Sequence, residues 1–324
     1  MAPLCSPDEF VRVWNETGGS AAEVRRILGF KNERTVYGKA KALEKAGRKL
    51  IRKQPEMQVA PAAYSAHKAR ISFDLQDGII LVGSDCHFWP GVRTTALRGF
   101  LKLIRELKPK HVHMNGDVFD GAKISRHPKI GFLEKAPDVR DEIKACKGFL
   151  AEIEDAAGDA RKVWEFGNHD LRFEAYLAAH AQQFEGLDGF HLKDRFPSWK
   201  PCWSAHINPD QPGHLVIKHR FKGGKYDVAN NIMNAHVHMC TGHTHALKWW
   251  PMSTYRKHTL YGVNTGTMAE PYDDPFVNYT EDNPVDWRSG FAVLTYWKGK
   301  LLQPQLAEVI SEGQLDFAGQ VLSV

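Results

Sequence analysis

From about residue 75 onward, the chain alternates between two patterns of apolar and polar positions. Short apolar or β-branched runs recur, and each stops at polar residues: 78–83, 111–114, 162–166, 214–217 and 236–241. Between these runs, apolar positions recur at helical spacing, most clearly over 94–107 and 139–156. Strands that alternate with helices indicate an α/β domain.

The first 50 residues have a different pattern, which predicts three short helices. Ser6 and Ser20 each precede a glutamate at the capping-box spacing, and apolar positions at helical spacing follow. A third helix is predicted from about 32 to 46, after Gly29 and Phe30. Two capped helices separated by a tight turn that contains glycine are typical of a helix-turn-helix.

The segment between these two patterns, residues 53–71, has no clear period and is interpreted as a linker. The predicted organisation is therefore a small all-α domain over 1–52, the linker, and an α/β domain over 72–324. The segment after Leu301 has two open interpretations: it caps the sheet, or it makes an interface.

Charge is unevenly distributed along the chain. Residues 1–60 hold 12 Lys and Arg against 7 Asp and Glu, so they carry the whole formal excess of +5. A basic module joined to a neutral one favours contact with a polyanion. A solvated helical face rich in lysine is the alternative explanation.

Composition places the chain in a broad class. At 324 residues, with 43% hydrophobic and 25% charged residues, it is typical of soluble globular proteins. No apolar run approaches the roughly 18–20 residues that span a bilayer, and the N-terminus lacks signal-peptide features. Five scattered cysteines without a CxxC pair disfavour a cysteine-based zinc site. We therefore expect a cytoplasmic protein with reduced thiols and no membrane contact.

Polar clusters follow the apolar runs of the α/β region. They are DCH at 85–87, GDVFDG at 116–121, GNHD at 167–170 and GHTH at 242–245. Each cluster alone is also explained as a capped turn or a polar loop. Because functional groups of α/β sheets gather beyond the carboxyl ends of the strands, we expect the four clusters to meet.

The residue types in these clusters suit two adjacent divalent cations. Aspartate and histidine together favour metals such as Mn, Fe, Zn or Ni. One central carboxylate can bridge two ions, and an asparagine ligand keeps the site less anionic toward a phosphate. Two such ions clamp phosphoryl oxygens and lower the pKa of bound water to about 7. The clusters therefore predict a two-metal site for phosphoester hydrolysis.

The series DxH, GDxxDG, GNHD, a later single histidine and GHTH resembles the calcineurin-like metallophosphoesterase superfamily over roughly residues 75–300. The resemblance implies a β-sandwich flanked by helices, two divalent ions with manganese favoured, and in-line attack by metal-bound hydroxide. It also implies a ligand set in which one aspartate bridges two metals. The first metal would be held by Asp85, His87 and His245, the second by Asn168, His219 and His243, and both by Asp117. By the same resemblance, His169 would be the general acid, Asp170 would orient it, and Asp120 would support a ligand imidazole.

The single histidine of this series has competitors. His219 ends an apolar run at a suitable interval before GHTH, so it is preferred to His214, His236 and His238. The last two are predicted to lie on one face of the strand that leads to GHTH. Arg220 stands where the family usually has a small residue, and is either a clamp for a substrate phosphate or a surface salt bridge.

Other residues are candidates for contact with substrate. Arg126 and His127 follow the second cluster and either contact substrate or lie in a solvated loop. Trp249 and Trp250 follow GHTH and either stack on a nucleobase or pack in the protein.

The N-terminal stretch over residues 18–47 resembles the helix-turn-helix modules of transcription factors and phage proteins. The resemblance implies DNA contacts from residues on or near a recognition helix: Lys31, Arg34, Thr35, Lys39 and Lys41. Because many such modules are two-fold symmetric, a homodimer is a further expectation.

These observations favour a metal-dependent phosphodiesterase or nuclease that its N-terminal module directs to DNA. A phosphomonoesterase acting on phosphoproteins or small molecules is the second hypothesis, because both ester types use the same catalytic core. A DNA-binding protein with an inactive esterase scaffold is the third.

Overall fold

The computed structural model of the chain describes residues 5–51, 69–126, 136–253, 255, 258–271 and 285–324. Within these residues it contains seven α-helices and fifteen strands. The chain divides into two compact units, Met1–Ser65 and Ala66–Val324. All five cysteines are free and buried. In the described part of the chain, no helix is both long and apolar enough to cross a bilayer.

The first unit is built from three helices: α1 (Pro7–Glu16), α2 (Ala21–Leu28) and α3 (Glu33–Lys45). They lie where the sequence pattern predicts helices. Gly29 ends α2 in the left-handed conformation, with φ of 71°, which glycine adopts without steric cost.

Each helix of the first unit begins with a side-chain cap. The side chains of Ser6, Ser20 and Asn32 accept hydrogen bonds from backbone N–H groups three residues further on. The helices then close on a small apolar core, formed by Cys5, Phe10, Val13, Trp14, Ala21, Val24, Phe30, Val36 and Ala40.

The second unit contains the strands. In chain order they are β1 (Arg70–Phe73), β2 (Gly78–Gly83), β3 (His111–Met114), β4 (Arg161–Glu165), β5 (Lys200–Cys202), β6 (Ser204–Ile207), β7 (Leu215–Ile217), β8 (His238–Thr241), β9 (Leu247–Ser253), β10 (Thr259–Thr265), β11 (Gly290–Trp297), β12 (Lys300–Leu301), β13 (Gln305–Ser311), β14 (Gln314–Phe317) and β15 (Gln320–Ser323). The first strand starts two residues before the predicted domain boundary at 72.

These strands form two sheets. The large sheet has the order β15-β14-β13-β11-β2-β3-β4-β5, with β12 paired to β11, and the small sheet has the order β1-β6-β7-β8-β10-β9. Strands β2, β3, β4 and β5 are parallel, as are β7 and β8. The segment after Leu301, whose role was open from the sequence, forms antiparallel strands that extend one edge of the large sheet.

Four helices accompany the sheets: α4 (Thr95–Leu107), α5 (Val139–Ala157), α6 (Asp170–His180) and α7 (Asp227–Ala235). The helices predicted over 94–107 and 139–156 are α4 and α5, so both predictions are confirmed. Thr94 caps α4 by accepting the N–H of Leu97 at 3.1 Å.

The side chains of β2 show how the layers pack. Ile80 and Val82 are buried between the two sheets, against Ile217 of the small sheet. Leu81 points the other way, into the core that the large sheet shares with α4 and α5. The other face of the small sheet packs on α7 through Ile232. The layers are therefore helix, sheet, sheet and helix, which confirms the predicted α/β sandwich flanked by helices.

Candidate metal centre

The turns that follow β2 and β3 are joined by their backbones. The N–H of Asp85 donates to the carbonyl of Gly116 at 2.9 Å, and the N–H of His87 donates to the carbonyl of Asp117 at 3.0 Å. Since the two strands are parallel neighbours, their polar clusters leave the sheet side by side. The first two clusters of the sequence therefore form one surface.

Left-handed backbone is concentrated at the predicted ligands. Twelve non-glycine residues among those described have positive φ, and five of them are predicted ligands: Asp85 (52°), His87 (42°), Asp117 (51°), His243 (71°) and His245 (55°). Such conformations cost on the order of 1–3 kcal/mol each and persist where the surrounding structure holds them. The chain is thus bent at the positions that direct polar side chains into the site.

Among the described residues, three groups of side chains present ligand atoms that lie within 4.8 Å of one another. Two groups have no member in common: Asp85, His87 and His245 form one, and Asp117, His219 and His243 form the other. The third group joins them, because it consists of His87, Asp117 and His169. The arrangement offers two neighbouring positions for divalent ions, with Asp117 between them.

Hydrogen bonds at Nδ1 orient two of the imidazoles. The Nδ1 of His87 lies 2.9 Å from Oδ1 of Asp120, and the Nδ1 of His219 donates to the carbonyl of Asn115 at 2.7 Å. A ring nitrogen fixed in this way leaves Nε2 as the ligand atom. Both rings therefore turn their Nε2 atoms toward the carboxylates of the site.

An unsatisfied oxygen supports the fit of a cation. Oδ1 of Asn168 is buried and has no hydrogen-bond partner among the described residues. Buried polar atoms are normally paired, so one without a partner needs an explanation. A divalent ion is a suitable partner, because this neutral oxygen could coordinate it together with the neighbouring imidazoles and carboxylates.

The electrostatics of the site are those of ligands held ready for a cation. Burial raises the pKa of Asp117, but the charge of His219 and the hydrogen bond to it outweigh burial and hold the pKa well below its usual range. Burial opposes charge on His219 as well, yet the charges of Asp117 and Asp85 raise its pKa to about 10. The pKa of His87 is lowered, chiefly by burial. A proton on His219 therefore balances Asp117, and a bound cation would replace that proton.

His169 lies at the junction of the two ligand groups. Its Nδ1 is 2.8 Å from Oδ1 of Asp120, and its backbone N–H donates to Oδ1 of Asp117 at 2.8 Å. Burial lowers the pKa of His169, but the hydrogen bond to Asp120 and the charges of Asp117 and Asp120 outweigh burial, so the net shift is upward. The imidazole is thus arranged to carry a proton beside the candidate metal ligands.

Asp170 has a different role from the expected one. It does not supply the carboxylate that orients His169, because Asp120 does so. Instead, the buried carboxylate of Asp170 accepts the backbone N–H groups of Asp117, Val118, Phe119 and Gly167 and the indole N–H of Trp164, at 2.8–3.1 Å. It therefore shapes the turn that carries the carboxylate of Asp117.

Arg172 was missed by the sequence reasoning. Its guanidinium donates to the carbonyl of Asp120 at 2.9 Å and lies 3.1 Å from Nε2 of His169. The one available signal was its position, since it stands three residues after His169 at the start of a helix and so on the same side. The structure places a permanent positive charge next to the imidazole.

Glycines at the starts of three clusters allow close approach. A Cβ on Gly167 would lie 2.1 Å from Oδ1 of Asp117, and one on Gly242 would lie 2.6 Å from Oδ2 of Asp85. A Cβ on Gly116 would lie 2.4 Å from the ring of His219. These positions exclude larger residues because ligand atoms occupy the space.

Gly167→Ala is expected to displace Asp117 and weaken metal binding. Overpacking of this kind usually costs about 1–3 kcal/mol of stability. Thermal unfolding and metal content per chain would measure both effects. The matched control is Gly148→Ala in α5, where an added Cβ meets nothing within 4 Å and should stabilise by about 0.5–1 kcal/mol. Unchanged metal content and melting temperature in Gly167→Ala would show that the close approach is unnecessary.

The other predicted candidates for substrate contact fall in different places. Arg220 is exposed, and its charge adds to burial in lowering the pKa of His243. Arg126 is exposed, and His127 lies outside the described residues. Trp249 packs against the core between the sheets, whereas Trp250 is 53% exposed. Trp249 therefore packs in the protein, and stacking of Trp250 on a nucleobase stays a prediction.

The histidines that competed with His219 lie elsewhere. His214 contacts His206 at 2.9 Å, and Nδ1 of His238 accepts the N–H of Tyr261 at 2.9 Å. The prediction that His236 lies in a strand is wrong, since His236 ends α7 in the left-handed conformation. Among these histidines, His219 is the one in a ligand group.

The predicted DNA-contacting residues separate into exposed and internally bound side chains. Lys31, Arg34 and Lys41 are exposed. Thr35 is exposed too, but its hydroxyl donates to the capping oxygen of Asn32 at 2.9 Å. Lys39 needs correction: its amine donates to the carbonyl of Cys5 at 2.9 Å and lies over the rings of Phe10 and Phe30, so it stabilises the helical core.

No family model and no curated protein matches the sequence. Among solved structures, the chain is similar to Vps29 from Entamoeba histolytica complexed with zinc, at a TM-score of 0.40 and 14% identity, over 76% of this chain and 98% of that one. It is similar to YfcE, a phosphoesterase from E. coli, at 0.32 and 13%, over 70% and 97% of the two chains. It is also similar to nuclease MPE from Pseudomonas putida, with a TM-score of 0.31 and 13% identity, over 76% of this chain and 87% of that one. These TM-scores are low, so the function must be inferred from the site itself.

Proposed function

We propose that the chain is a dinuclear metal-dependent phosphoesterase of the calcineurin-like metallophosphoesterase type, and that phosphodiesters are its substrates. The observation that carries the proposal is the pair of separate ligand groups joined through His87, Asp117 and His169. A structural metal site needs one such group. Two adjacent groups with a carboxylate between them suit a pair of ions that holds a phosphoryl group.

The donor set is compatible with two divalent ions, of which manganese is favoured and iron, zinc and nickel are compatible. Such ions, when bound, polarise phosphoryl oxygens and acidify water. Asp85, His87 and His245 would hold one ion, and His219, His243 and Asn168 the other, with Asp117 shared. His87 and His219 are held for this task by Asp120 and by the carbonyl of Asn115.

The chain itself supplies the proton for the leaving group. His169 holds a proton more tightly than an ordinary histidine because Asp120 accepts at its Nδ1. Its Nε2 faces Asp117 at 3.9 Å, so a proton there is directed into the site. Asp120 contacts both His87 and His169, and thus sets the position of a ligand and of the acid together.

Arg172 gives this acid a charged neighbour. Its Nη2 lies 3.1 Å from Nε2 of His169, where it can donate to this nitrogen once the proton has left. The proposed role of Arg172 is to hold the Asp120 carbonyl and to place positive charge near the phosphate, which favours release of the proton toward the leaving oxygen.

The helical unit is proposed to direct this activity to DNA. Arg34, Tyr37 and Lys41 are exposed on α3, with Tyr37 54% exposed. Their spacing of three and four residues places them on one face of the helix. Two cations and an aromatic side chain on one exposed face suit contacts to phosphates and bases.

Hydrolysis of two chromogenic substrates tests the proposal. Manganese-loaded protein should hydrolyse bis-p-nitrophenyl phosphate faster than p-nitrophenyl phosphate, and chelation should abolish both activities. Arg34→Ala combined with Lys41→Ala should weaken DNA binding without altering either rate. A preference for the monoester would make the chain a phosphatase, and two bound metals without hydrolysis of either ester would contradict the enzyme proposal.

A further inference from the structure

The loop between β7 and α7 has an unusual surface. Residues 220–226, with the sequence RFKGGKY, are exposed throughout. This loop contains three cations, Arg220, Lys222 and Lys225, and no acidic residue. Phe221 is 39% exposed and Tyr226 is 63% exposed. Cations and exposed aromatic rings therefore alternate along one short segment.

Trp250 of β9 extends this surface. Lys248, two residues earlier and so on the same face of the strand, donates from Nζ to the carbonyl of Lys225 at 3.1 Å. This contact ties β9 to the loop, and the half-exposed Trp250 lies on the same face of β9 as Lys248. Trp249, on the opposite face, is packed against the core between the sheets. We call residues 220–226 together with Trp250 the basic aromatic surface.

The basic aromatic surface is held in place by the same residues that support the metal ligands. Lys248 also pairs with the buried Asp227 at 2.7 Å. Asp227 in turn accepts the hydroxyl of Thr244 at 2.8 Å, and Thr244 stands between the ligands His243 and His245. On its other side, the loop begins directly after His219.

The loop is also anchored to the helix that follows it. The N–H of Lys222 donates to Oδ1 of Asn231 in α7 at 2.9 Å. Asn231 is buried and its amide donates to Thr241 at 3.3 Å. These bonds fix the backbone of the loop while its side chains remain exposed, so the surface is formed before any partner binds.

We propose that the basic aromatic surface binds a single strand of nucleic acid and leads it to the metal centre. Arg220, Lys222 and Lys225 would neutralise successive phosphates, and Phe221, Tyr226 and Trp250 would stack on unpaired bases. Single-strand binders combine basic grooves with aromatic stacking in this way. This inference rests on the proposed function, and it narrows the substrate to single-stranded nucleic acid.

The chemistry of the surface favours a single strand over a duplex. Stacking on Phe221, Tyr226 or Trp250 requires a free base face, which a duplex covers with neighbouring base pairs. Phosphate contacts alone would be served by cations, and would not need three exposed aromatic rings. An anionic lipid surface also attracts cations and aromatic rings, and the experiment below includes it.

Binding of labelled oligonucleotides tests the inference without hydrolysis. The full chain, carrying Arg34→Ala and Lys41→Ala to remove the exposed cations of α3, would be titrated without metal against fluorescein-labelled dT20. The same measurement would use a 20-base-pair duplex and vesicles that contain phosphatidylserine. We expect the single strand to bind most tightly, with salt dependence.

Two loop variants and one matched control complete this experiment. Trp250→Ala should weaken dT20 binding by about 5- to 150-fold, the range typical of one stacked base. Lys222→Ala with Lys225→Ala should lower the slope of log affinity against log salt by about 1.4, since each phosphate contact contributes about 0.7. The control is Trp297→Ala with Lys298→Ala, because Trp297 is 54% exposed with Lys298 over its ring, and it lies at the strand end away from the site.

The outcomes separate this inference from the proposed function. Equal dT20 affinity of the control and the loop variants would contradict single-strand binding by the basic aromatic surface. Tighter binding of the duplex or of the vesicles would also contradict it. Failure of the native chain to hydrolyse bis-p-nitrophenyl phosphate would overturn the phosphoesterase proposal. That failure would not remove a single-strand preference that depends on Trp250, which is measured without metal.

Discussion

Asp117→Asn should abolish phosphodiester hydrolysis, with a loss larger than the roughly 10²–10⁴-fold that removal of a general acid causes. Asp117 belongs to two of the three ligand groups, so both metal positions depend on its charge. The same carboxylate accepts the backbone N–H of His169 at 2.8 Å. Asparagine keeps the shape but removes the charge that binds the cations and that raises the pKa of His219. Metal content per chain and turnover of bis-p-nitrophenyl phosphate would measure the effect.

Asp159→Asn is the matched control for this change. Asp159 is exposed in the turn before β4, and its replacement removes the same charge from the chain without touching the site. It should keep two metals and full turnover. If Asp117→Asn also kept two metals and full turnover, a bridging carboxylate would not be part of the site.

His169→Ala should slow hydrolysis of diesters with poor leaving groups by about 10²–10⁴-fold, while the chain still binds two metals. The hydrogen bond to Asp120 favours the protonated imidazole. The methyl side chain of alanine has no proton to donate to the leaving group. p-Nitrophenolate leaves without protonation, so the rate of hydrolysis of bis-p-nitrophenyl phosphate should fall much less. The ratio of kcat for an alkyl nucleotide diester to kcat for bis-p-nitrophenyl phosphate isolates proton donation from metal binding.

His180→Ala provides the comparison for His169→Ala. His180 is exposed at the other end of α6, so its loss should leave both kcat values as they are. If His169→Ala lowered kcat for both esters equally and also lost metal, His169 would be a metal ligand. Full turnover of the alkyl ester would assign the acid to another group.

The elements and the order of the site were predictable because they depend on local patterns. Apolar runs of four to six residues gave β2, β3, β4 and β8, and glycine-containing clusters at their ends follow from parallel strands. What local pattern did not reveal was which polar group pairs with which. Asp170 follows His169 in the chain, yet its carboxylate turns to the backbone of the turn around Asp117, because four N–H groups and an indole converge there.

Two further residues illustrate this limit. Lys39 belongs to a basic helix, and sequence alone gave no reason to separate it from Lys41. Its amine reaches back 34 residues to Cys5, a contact set by how three helices close on their core. Tyr37 lies on the exposed face of the same helix and is 54% exposed, although an aromatic residue at helical spacing usually packs inside.

The left-handed ligands also bear on how such a chain would diverge. Asp85, His87, Asp117, His243 and His245 all hold left-handed conformations that glycine would adopt at less cost. On the proposed function, selection for bound metal keeps aspartate and histidine at these five places. A descendant released from that selection should lose them early, with glycine replacing them while β2, β3 and β8 persist. The residues at these five backbone-strained positions would therefore distinguish a homologue that still binds metal from one that has lost metal binding but keeps the sandwich fold.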